Sequence, residues 1–321
     1  MIKDFAFVFP GQGSQSTGML DAWGDEPAVA QTVQEASDAL SEDIGRMIRE
    51  GSRETLALTV NTQPAMLVAG ICAYRAWMAR TGVAPVAVAG HSLGEYSALV
   101  AAGVLTMGQA APLVRLRAIA MQDAVAVGAG AMAAVLGLGS SQVVATCLEA
   151  TGSFGNHSDE VVEAVNFNDP AQTVIAGSKA AVERACEMLK AHGARRVLPL
   201  PVSAPFHSRL MRPAAHKLRD ALETVEFGTP SMALVNNIDV AVEVDSDRIR
   251  DALYRQAFGP VRWVECVLAL KARGAHTLVE CGPGKVLSGM VSRIDASMSG
   301  LPMFDPSSLR TAQDALLGAV P

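Results

Sequence analysis

The sequence predicts an α/β fold in which a small βαββαβ unit is inserted into a larger helix-and-sheet domain. Three observations carry this. Half of the 321 residues are hydrophobic, 18% are charged and only 5% are aromatic, with Ala and Val supplying much of the apolar content. Such a chain can bury a sizeable core of helices packed on a parallel sheet. Next, an apolar run at 85–89 ends in Gly90-His91-Ser92-Leu93-Gly94 and passes directly into a helical segment, so that strand, sharp turn and helix follow in the order an α/β fold needs. Finally, between residues 128 and 199 the periodicities run strand, helix, strand, strand, helix, strand, the split pattern of a ferredoxin-like unit. The expected division is 1–127 with 200–321 for the larger domain and 128–199 for the insert.

The elements follow in order. A strand over 6–9 breaks into the turn-rich Pro10-Gly11-Gln12-Gly13-Ser14-Gln15. Helical spacing covers 27–50 and again 63–81, and after the strand at 85–89 it returns over 95–102 and 109–125. In the insert, strand 131–138 precedes helix 142–150. A hairpin of 161–166 and 172–176 turns around Asn168-Asp169-Pro170, an amphipathic helix spans 179–192, and strand 196–200 closes the set. Near the C-terminus a strand over 277–280 ends in the tight loop Cys281-Gly282-Pro283-Gly284-Lys285.

Charge and composition exclude several function classes. A net charge of −6 and few aromatics argue against a nucleic-acid binder. The five cysteines (Cys72, Cys147, Cys186, Cys266, Cys281) are scattered and form no C-x-x-C pair. Neither a disulfide framework nor a zinc site is expected, and a reducing cytoplasm fits. The apolar run at 5–9 is too short for a signal peptide. The uncharged stretch 124–148 carries Gly128, Gly130, Gly137 and Gly139 and reads as strand and turns, not as a membrane span. No H-E-x-x-H spacing appears, and the opening loop lacks both the Gly-Lys-Ser/Thr ending of a phosphate loop and the spacing of a dinucleotide fingerprint. No metal and no bound cofactor are therefore expected, and the default is a soluble monomer.

Chemistry concentrates at the G-x-S-x-G of residues 90–94. Its glycines allow a tight strand-to-helix turn that exposes the Ser92 hydroxyl, and the following helix aims its N–H groups at a developing oxyanion. A serine needs a base. Of six histidines, His91 precedes the serine and should point away from it. His157 lies in a polar loop, His192 and His216 lie in charge-rich helices, and His276 precedes a strand. His207 stands in Val202-Ser203-Ala204-Pro205-Phe206-His207-Ser208, a loop directly after a strand, where catalytic side chains are displayed. Arg117 falls on the apolar stripe of Leu113, Val114, Ala120, Met121 and Ala124, while Arg115 falls to one side. A core-facing guanidinium is costly unless paired. Either an internal salt bridge satisfies it, or its partner arrives with the substrate as a free carboxylate. The glycine turn after the first strand could present a backbone N–H as a second oxyanion donor.

The combination resembles the bacterial malonyl-CoA:acyl-carrier-protein transacylases nearly end to end. The likeness rests on Phe-Val-Phe-Pro-Gly-Gln-Gly-Ser-Gln at the start, Gly-His-Ser-Leu-Gly-Glu-Tyr-Ser-Ala at the elbow and Val-Asn-Phe-Asn in the insert. It continues through Leu-Pro-Leu-Pro-Val-Ser before His207, Val-Asn-Asn at 235–237, and Glu-Cys-Gly-Pro-Gly-Lys-Val-Leu near the end. The resemblance implies a hydrolase-like core with a parallel sheet, Ser92 as nucleophile and His207 as general base and acid. It implies Arg117 as the malonyl carboxylate clamp, the N–H groups of Gln12 and Leu93 as oxyanion hole, and Gln256 as the residue whose backbone carbonyl orients the histidine. That last role replaces the acid of a Ser-His-Asp triad. Phe206, bulky beside His207, resembles the malonyl-selective pattern, a preference of about 1–3 kcal/mol against an added methyl. The implied reaction is malonyl transfer from malonyl-CoA to the phosphopantetheine thiol of acyl carrier protein. Lys190, Arg195 and Arg196 are candidates for docking that acidic carrier. A serine hydrolase, a transacylase of another malonyl pathway and a non-catalytic relative are the rival readings.

Overall fold

The computed structural model describes residues 4–155, 158–202 and 204–318. His157 and Ser203, both in segments considered above, lie outside the described residues.

The chain opens with β1 (Phe5–Phe9), followed by α1 (Pro27–Leu40), α2 (Ile44–Glu50), α3 (Arg53–Ala57) and α4 (Thr59–Thr81). Next come β2 (Ala87–Gly90), α5 (Gly94–Ala101) and α6 (Met107–Asp123). A second unit contains β3 (Gly130–Leu136), α7 (Ser140–Gly152), β4 (Val162–Asp169), β5 (Gln172–Ser178), α8 (Lys179–Ala191) and β6 (Arg196–Pro199). The chain then returns through α9 (Arg212–Thr224), β7 (Ala233–Val235), α10 (Ser246–Gln256), α11 (Trp263–Ala272), β8 (Thr277–Cys281), α12 (Ser288–Ile294), β9 (Ser299–Met303) and α13 (Pro306–Leu317).

Five strands form a parallel sheet in the order β7-β2-β1-β8-β9. β1 is buried on both faces, as a covered parallel strand must be. Phe5, Phe7 and Phe9 point to one side, where Phe5 and Phe7 meet Trp77 and Phe7 and Phe9 meet Tyr74, edge to face. Ala6 and Val8 point to the other and pack with Ala87, Ala89 and Leu278. Register matters for the site: Phe9 pairs with Gly90, so the loop after β1 and the elbow after β2 leave the sheet side by side. Ligands in open α/β sheets bind at these carboxyl ends.

The second sheet is antiparallel, in the order β4-β5-β3-β6, which is the ferredoxin-like arrangement. One face packs under α7 and α8 through Val135, Ile175, Ala181 and Leu189. The other face, with Met132, Val165, Val174 and Ala176, meets Leu200, Val202 and Phe206. β4 is tied to the large sheet's side of the molecule. The Phe167 N–H donates to the Val261 carbonyl at 2.9 Å, the Val261 N–H donates to the Val165 carbonyl at 2.8 Å, and Arg293 Nε reaches Asp169 Oδ2 at 2.8 Å.

Most elements lie within a few residues of expectation. The single helix expected over 27–50 is two helices. Ser41 turns left-handed at φ 52°, and Asp43 caps the second helix by accepting the Arg46 N–H at 2.8 Å. The helix expected from 63 begins at Thr59 and accommodates Pro64 in its second turn. Among the described residues no helix is long and apolar enough to cross a membrane. No group of three or more His, Cys, Asp or Glu among them is placed to hold a metal ion.

Candidate active site

The elbow is built by exclusion of side chains. A Cβ on Gly90 would sit 1.9 Å from the Gly94 carbonyl carbon, and one on Gly94 would sit 2.0 Å from the Phe9 carbonyl oxygen. Only glycine fits either place, and the packed turn forces Ser92 into the left-handed region at φ 54°. Asn237, just past β7, fastens the turn from below. Its Oδ1 accepts the Ser92 N–H and its Nδ2 donates to the Gly90 carbonyl, both at 2.7 Å.

His207, also left-handed at φ 67°, places Nε2 2.7 Å from Ser92 Oγ and Nδ1 2.9 Å from the Gln256 carbonyl. A carbonyl can only accept, so Nδ1 carries the proton and Nε2 is left to accept from the serine hydroxyl. That carbonyl is free for the task because Gln256 is the last residue of α10, where helical carbonyls lose their intrahelical partners. His207 is buried, and burial, followed by the nearby Arg117 charge, pushes its pKa down to about 3 against the partial support of the Gln256 carbonyl. The imidazole is therefore neutral, the form a base requires.

Arg117 is 2% exposed. Its Nη1 donates to Gln63 Oε1 at 2.6 Å, and its Nη2 donates to Gln256 Oε1 and to Ser92 Oγ, both at 3.1 Å. The guanidinium also lies over the Tyr96 ring at 5.4 Å. Among the described residues no carboxylate stands within ion-pair distance of it, and its Nε has no hydrogen-bond partner. Arg115, to one side as expected, pairs with Glu42 at 2.6 Å. The internal salt bridge weighed for Arg117 is thus not formed.

A cavity of about 590 Å³ lies over these groups, lined by Gln12, His91, Ser92, Leu93, Arg117, Phe206 and His207 among others. It adjoins a wider groove of about 1760 Å³ that shares Gln12, Leu200 and Val202 and reaches Arg53 and Glu54. Among the described residues neither the Gln12 nor the Leu93 N–H donates to another protein group. His91 turns its ring to Asn168, 2.9 Å from Nε2, and to Trp263. His192 and His216 are engaged elsewhere, with Thr146 and Tyr254.

Four groups at the site were not singled out from sequence: Gln63, Glu95, Asn168 and Asn237. Three of them sit inside quoted motifs, yet nothing in the spacing assigns them a task. Gln63 heads the apolar run of α4, and a polar residue there was the available signal. Glu95 is 2% exposed, and its Oε2 accepts the Asn237 N–H and the Gln256 Nε2, both at 2.9 Å. Burial pushes this carboxyl up to about 7, with Gln256, the Asn237 N–H and the Arg117 charge pulling the other way.

The comparisons with known proteins decide the family. The model of the acyl transferase domain matches residues 6–301. The chain is 48% identical over 312 residues to the malonyl CoA-acyl carrier protein transacylase of Escherichia coli (strain K12), covering 97% of this chain and 99% of that one. The chain belongs to the acyl transferase family, among the malonyl-CoA:acyl-carrier-protein transacylases. The Bacillus subtilis (strain 168) transacylase is 40% identical over 98% of both chains. Among solved structures, an acyl-carrier-protein S-malonyltransferase from Burkholderia pseudomallei 1710b superposes with a TM-score of 0.93 at 57% identity, over 96% of this chain and 99% of that one. A malonyl-transacylase solved in complex with a type II PKS acyl-carrier protein does so with a TM-score of 0.93 at 46% identity, over 99% of this chain and all of that one. The parallel sheet, the elbow and the separate antiparallel sheet are accordingly those of this acyltransferase family.

Proposed function

We propose that the chain moves the malonyl group of malonyl-CoA to the phosphopantetheine thiol of acyl carrier protein through a malonyl-Ser92 ester, supplying malonyl carrier for fatty-acid synthesis. The observation that carries this is the hydrogen-bonded line from Ser92 through His207 to the Gln256 carbonyl, with an unneutralised Arg117 in the same cavity.

His207 Nε2 takes the Ser92 proton as Oγ attacks the thioester carbonyl carbon. The Gln12 and Leu93 N–H groups receive the oxyanion, whose stabilisation by such donors is worth about 2.7–4 kcal/mol each. Collapse breaks the C–S bond, and His207 returns the proton to the coenzyme A thiolate. The carrier thiol then attacks the Ser92 ester by the same steps in reverse. Arg117 holds the distal carboxylate with a planar fork, and Phe206 narrows the cavity beside it. The Gln256 carbonyl holds the imidazole in its tautomer without lending the negative charge an aspartate would.

The carrier approaches along the wider groove. Lys190, Arg195 and Arg196 are exposed, and β6 runs from Arg196 toward Leu200 in the groove wall, which supports them as docking residues for an acidic partner. The boundaries 1–127 with 200–321 and 128–199 divide the walls of the cleft between two domains. Five free cysteines, four of them buried, support a reducing, cytoplasmic setting.

Intact-mass spectrometry after brief mixing with malonyl-CoA, beside Ser92→Ala, tests the reading. A malonyl adduct on Ser92 that passes to holo carrier protein is the expected result. An adduct discharged only to water makes the chain a hydrolase, and no adduct in the unsubstituted chain overturns the proposal.

A further inference from the structure

One buried acid takes no part in the transfer steps, yet it stands directly behind the clamp. Glu95 lies in the first turn of α5, three residues beyond Ser92. Its Oε2 accepts from the Asn237 N–H and from Gln256 Nε2. These are the two residues that hold the reacting groups: Asn237 fastens the elbow, while Gln256 touches both His207 and Arg117.

The Gln256 amide sits between an acid and a cation. A side-chain amide has one accepting end and one donating end, and only one sense serves this place. As built, Nε2 donates to Glu95 Oε2 and to the Ser92 carbonyl at 3.0 Å, and Oε1 accepts from Arg117 Nη2. Flipped, the NH₂ would face a guanidinium, which has no acceptor, and the carbonyl would face two other oxygens. The Ser92 carbonyl and Glu95 thus dictate the sense together, and the side chain of Glu95 is the removable half of that pair. Nη1, on the other arm of the Arg117 fork, is held by Gln63, another neutral amide. Arg117 is thereby pinned by amide oxygens that fix its pose without cancelling its charge. Glu95 reaches it by hydrogen bonds only through the Gln256 amide, and by charge attraction across that amide.

We propose that Glu95 is a positioning residue for recognition of the acyl carboxylate, acting through the Gln256 amide to hold Arg117 in the pose that meets a carboxylate beside Ser92. This rests on the reading of Arg117 as the clamp. Because Gln256 also holds His207, losing Glu95 slows transfer of any acyl group, but it slows malonyl transfer further.

The test compares kcat/KM for malonyl and acetyl thioesters in Glu95→Leu, Glu95→Asp, Glu95→Gln and Arg117→Ala. Leucine fills the volume and removes the acceptor. Aspartate keeps an acid but withdraws it by one methylene, about 1.5 Å, and a misplacement of about 1 Å can cost about 100-fold in a positioned site. In both variants the malonyl-to-acetyl ratio should fall by about tenfold or more, chiefly through the malonyl KM. Glutamine can keep an oxygen toward Asn237 and Gln256 and should restore the ratio to within about threefold. On an Arg117→Ala background, Glu95→Leu should change the ratio no further. A merely structural acid would lower both donors together, and that result in the Leu and Asp variants overturns the proposal; should Leu fail to fold, Asp decides. If Arg117→Ala itself leaves the ratio unchanged, the clamp reading fails and this inference falls with it.

Discussion

Arg117→Ala separates malonyl recognition from acyl transfer. The guanidinium is 2% exposed, it contacts two amide oxygens and the nucleophile, and no carboxylate of the described residues pairs with it. A malonyl carboxylate entering the cavity would be the first carboxylate within ion-pair distance of this buried guanidinium, since the described residues supply none. Breaking such a buried, hydrogen-bonded pair by removing one member costs about 3–5 kcal/mol. At about 1.4 kcal/mol per power of ten, malonyl kcat/KM should fall by roughly two to three and a half powers of ten. Acetyl transfer has no carboxylate to lose. The Arg117 charge also disfavours protonation of His207, so its removal makes that base stronger, and acetyl kcat/KM should hold or rise. Both thioesters are assayed with holo carrier protein as acceptor, with burst amplitude reporting the fraction of folded, acylatable enzyme. Arg117→Lys should recover part of the malonyl loss, since it restores a charge but not the fork. Equal losses for malonyl and acetyl would refute the clamp.

Four further outcomes follow from the same geometry. With His207 held down to about 3 in the fold against an ordinary 6.5, the acid limb of single-turnover acylation should lie well below pH 6.5; a midpoint near 6.5 would contradict a buried neutral base. The same shift has a stability sign: below pH 6.5 the unfolded chain binds a proton that the folded one refuses, so the His207 contribution to stability declines as pH falls from 6.5 toward 3, which urea titrations of the parent against His207→Phe would expose. Gly90→Ala should leave no soluble active enzyme, because its Cβ would fall 1.9 Å from the Gly94 carbonyl carbon, and a well-folded active variant would show that the elbow can relax. Asn237→Ala orphans the Ser92 N–H and the Gly90 carbonyl, at about 1–3 kcal/mol for each buried group, and should lower both the melting temperature and the acylation rate; a fall in only one of them would show that the elbow and the nucleophile are not coupled.

Legibility in the sequence divides along the kind of group doing the work. The elbow was readable because its requirement is local: two glycines four residues apart with the serine midway, a strand before and a helix after. Arg117 was readable because a cation on an apolar stripe violates a periodic pattern, and the buried pose of that side chain is what the violation implies. The split βαββαβ rhythm was readable for a similar reason, since α8 carries a distinct apolar face and the short apolar strands around it are set apart by turn residues. The stretch after 212 was not, apart from β8 and the loop that follows it. α9 and α10 are strongly amphipathic but lack motifs, and β7 and β9 are short strands whose pairing is set by distant partners. A break such as the one at Ser41 costs one residue and leaves the helical spacing on either side intact, so 27–50 reads as continuous.

Groups that act through their backbone are the hardest to see. The Gln256 carbonyl is available because α10 ends there, and helix ends are the least certain feature of any periodic reading. The N–H groups of Gln12 and Leu93 carry no side-chain signature, so only their place in the loops that leave adjacent parallel strands makes them neighbours. Gln12 and Gln256 therefore came from family resemblance, not from spacing. Glu95 shows why the resemblance also has a limit. It sits in a motif so dominated by its serine that the acid passes as part of the elbow, although its partners, Asn237 and Gln256, lie 142 and 161 residues away. A polar residue buried at the start of a helix has to find its partners somewhere. Here that requirement leads from Glu95 to the amide that sets the arginine, so the oxygen of an unremarked acid and the reach of the carboxylate clamp belong to one hydrogen-bonded unit.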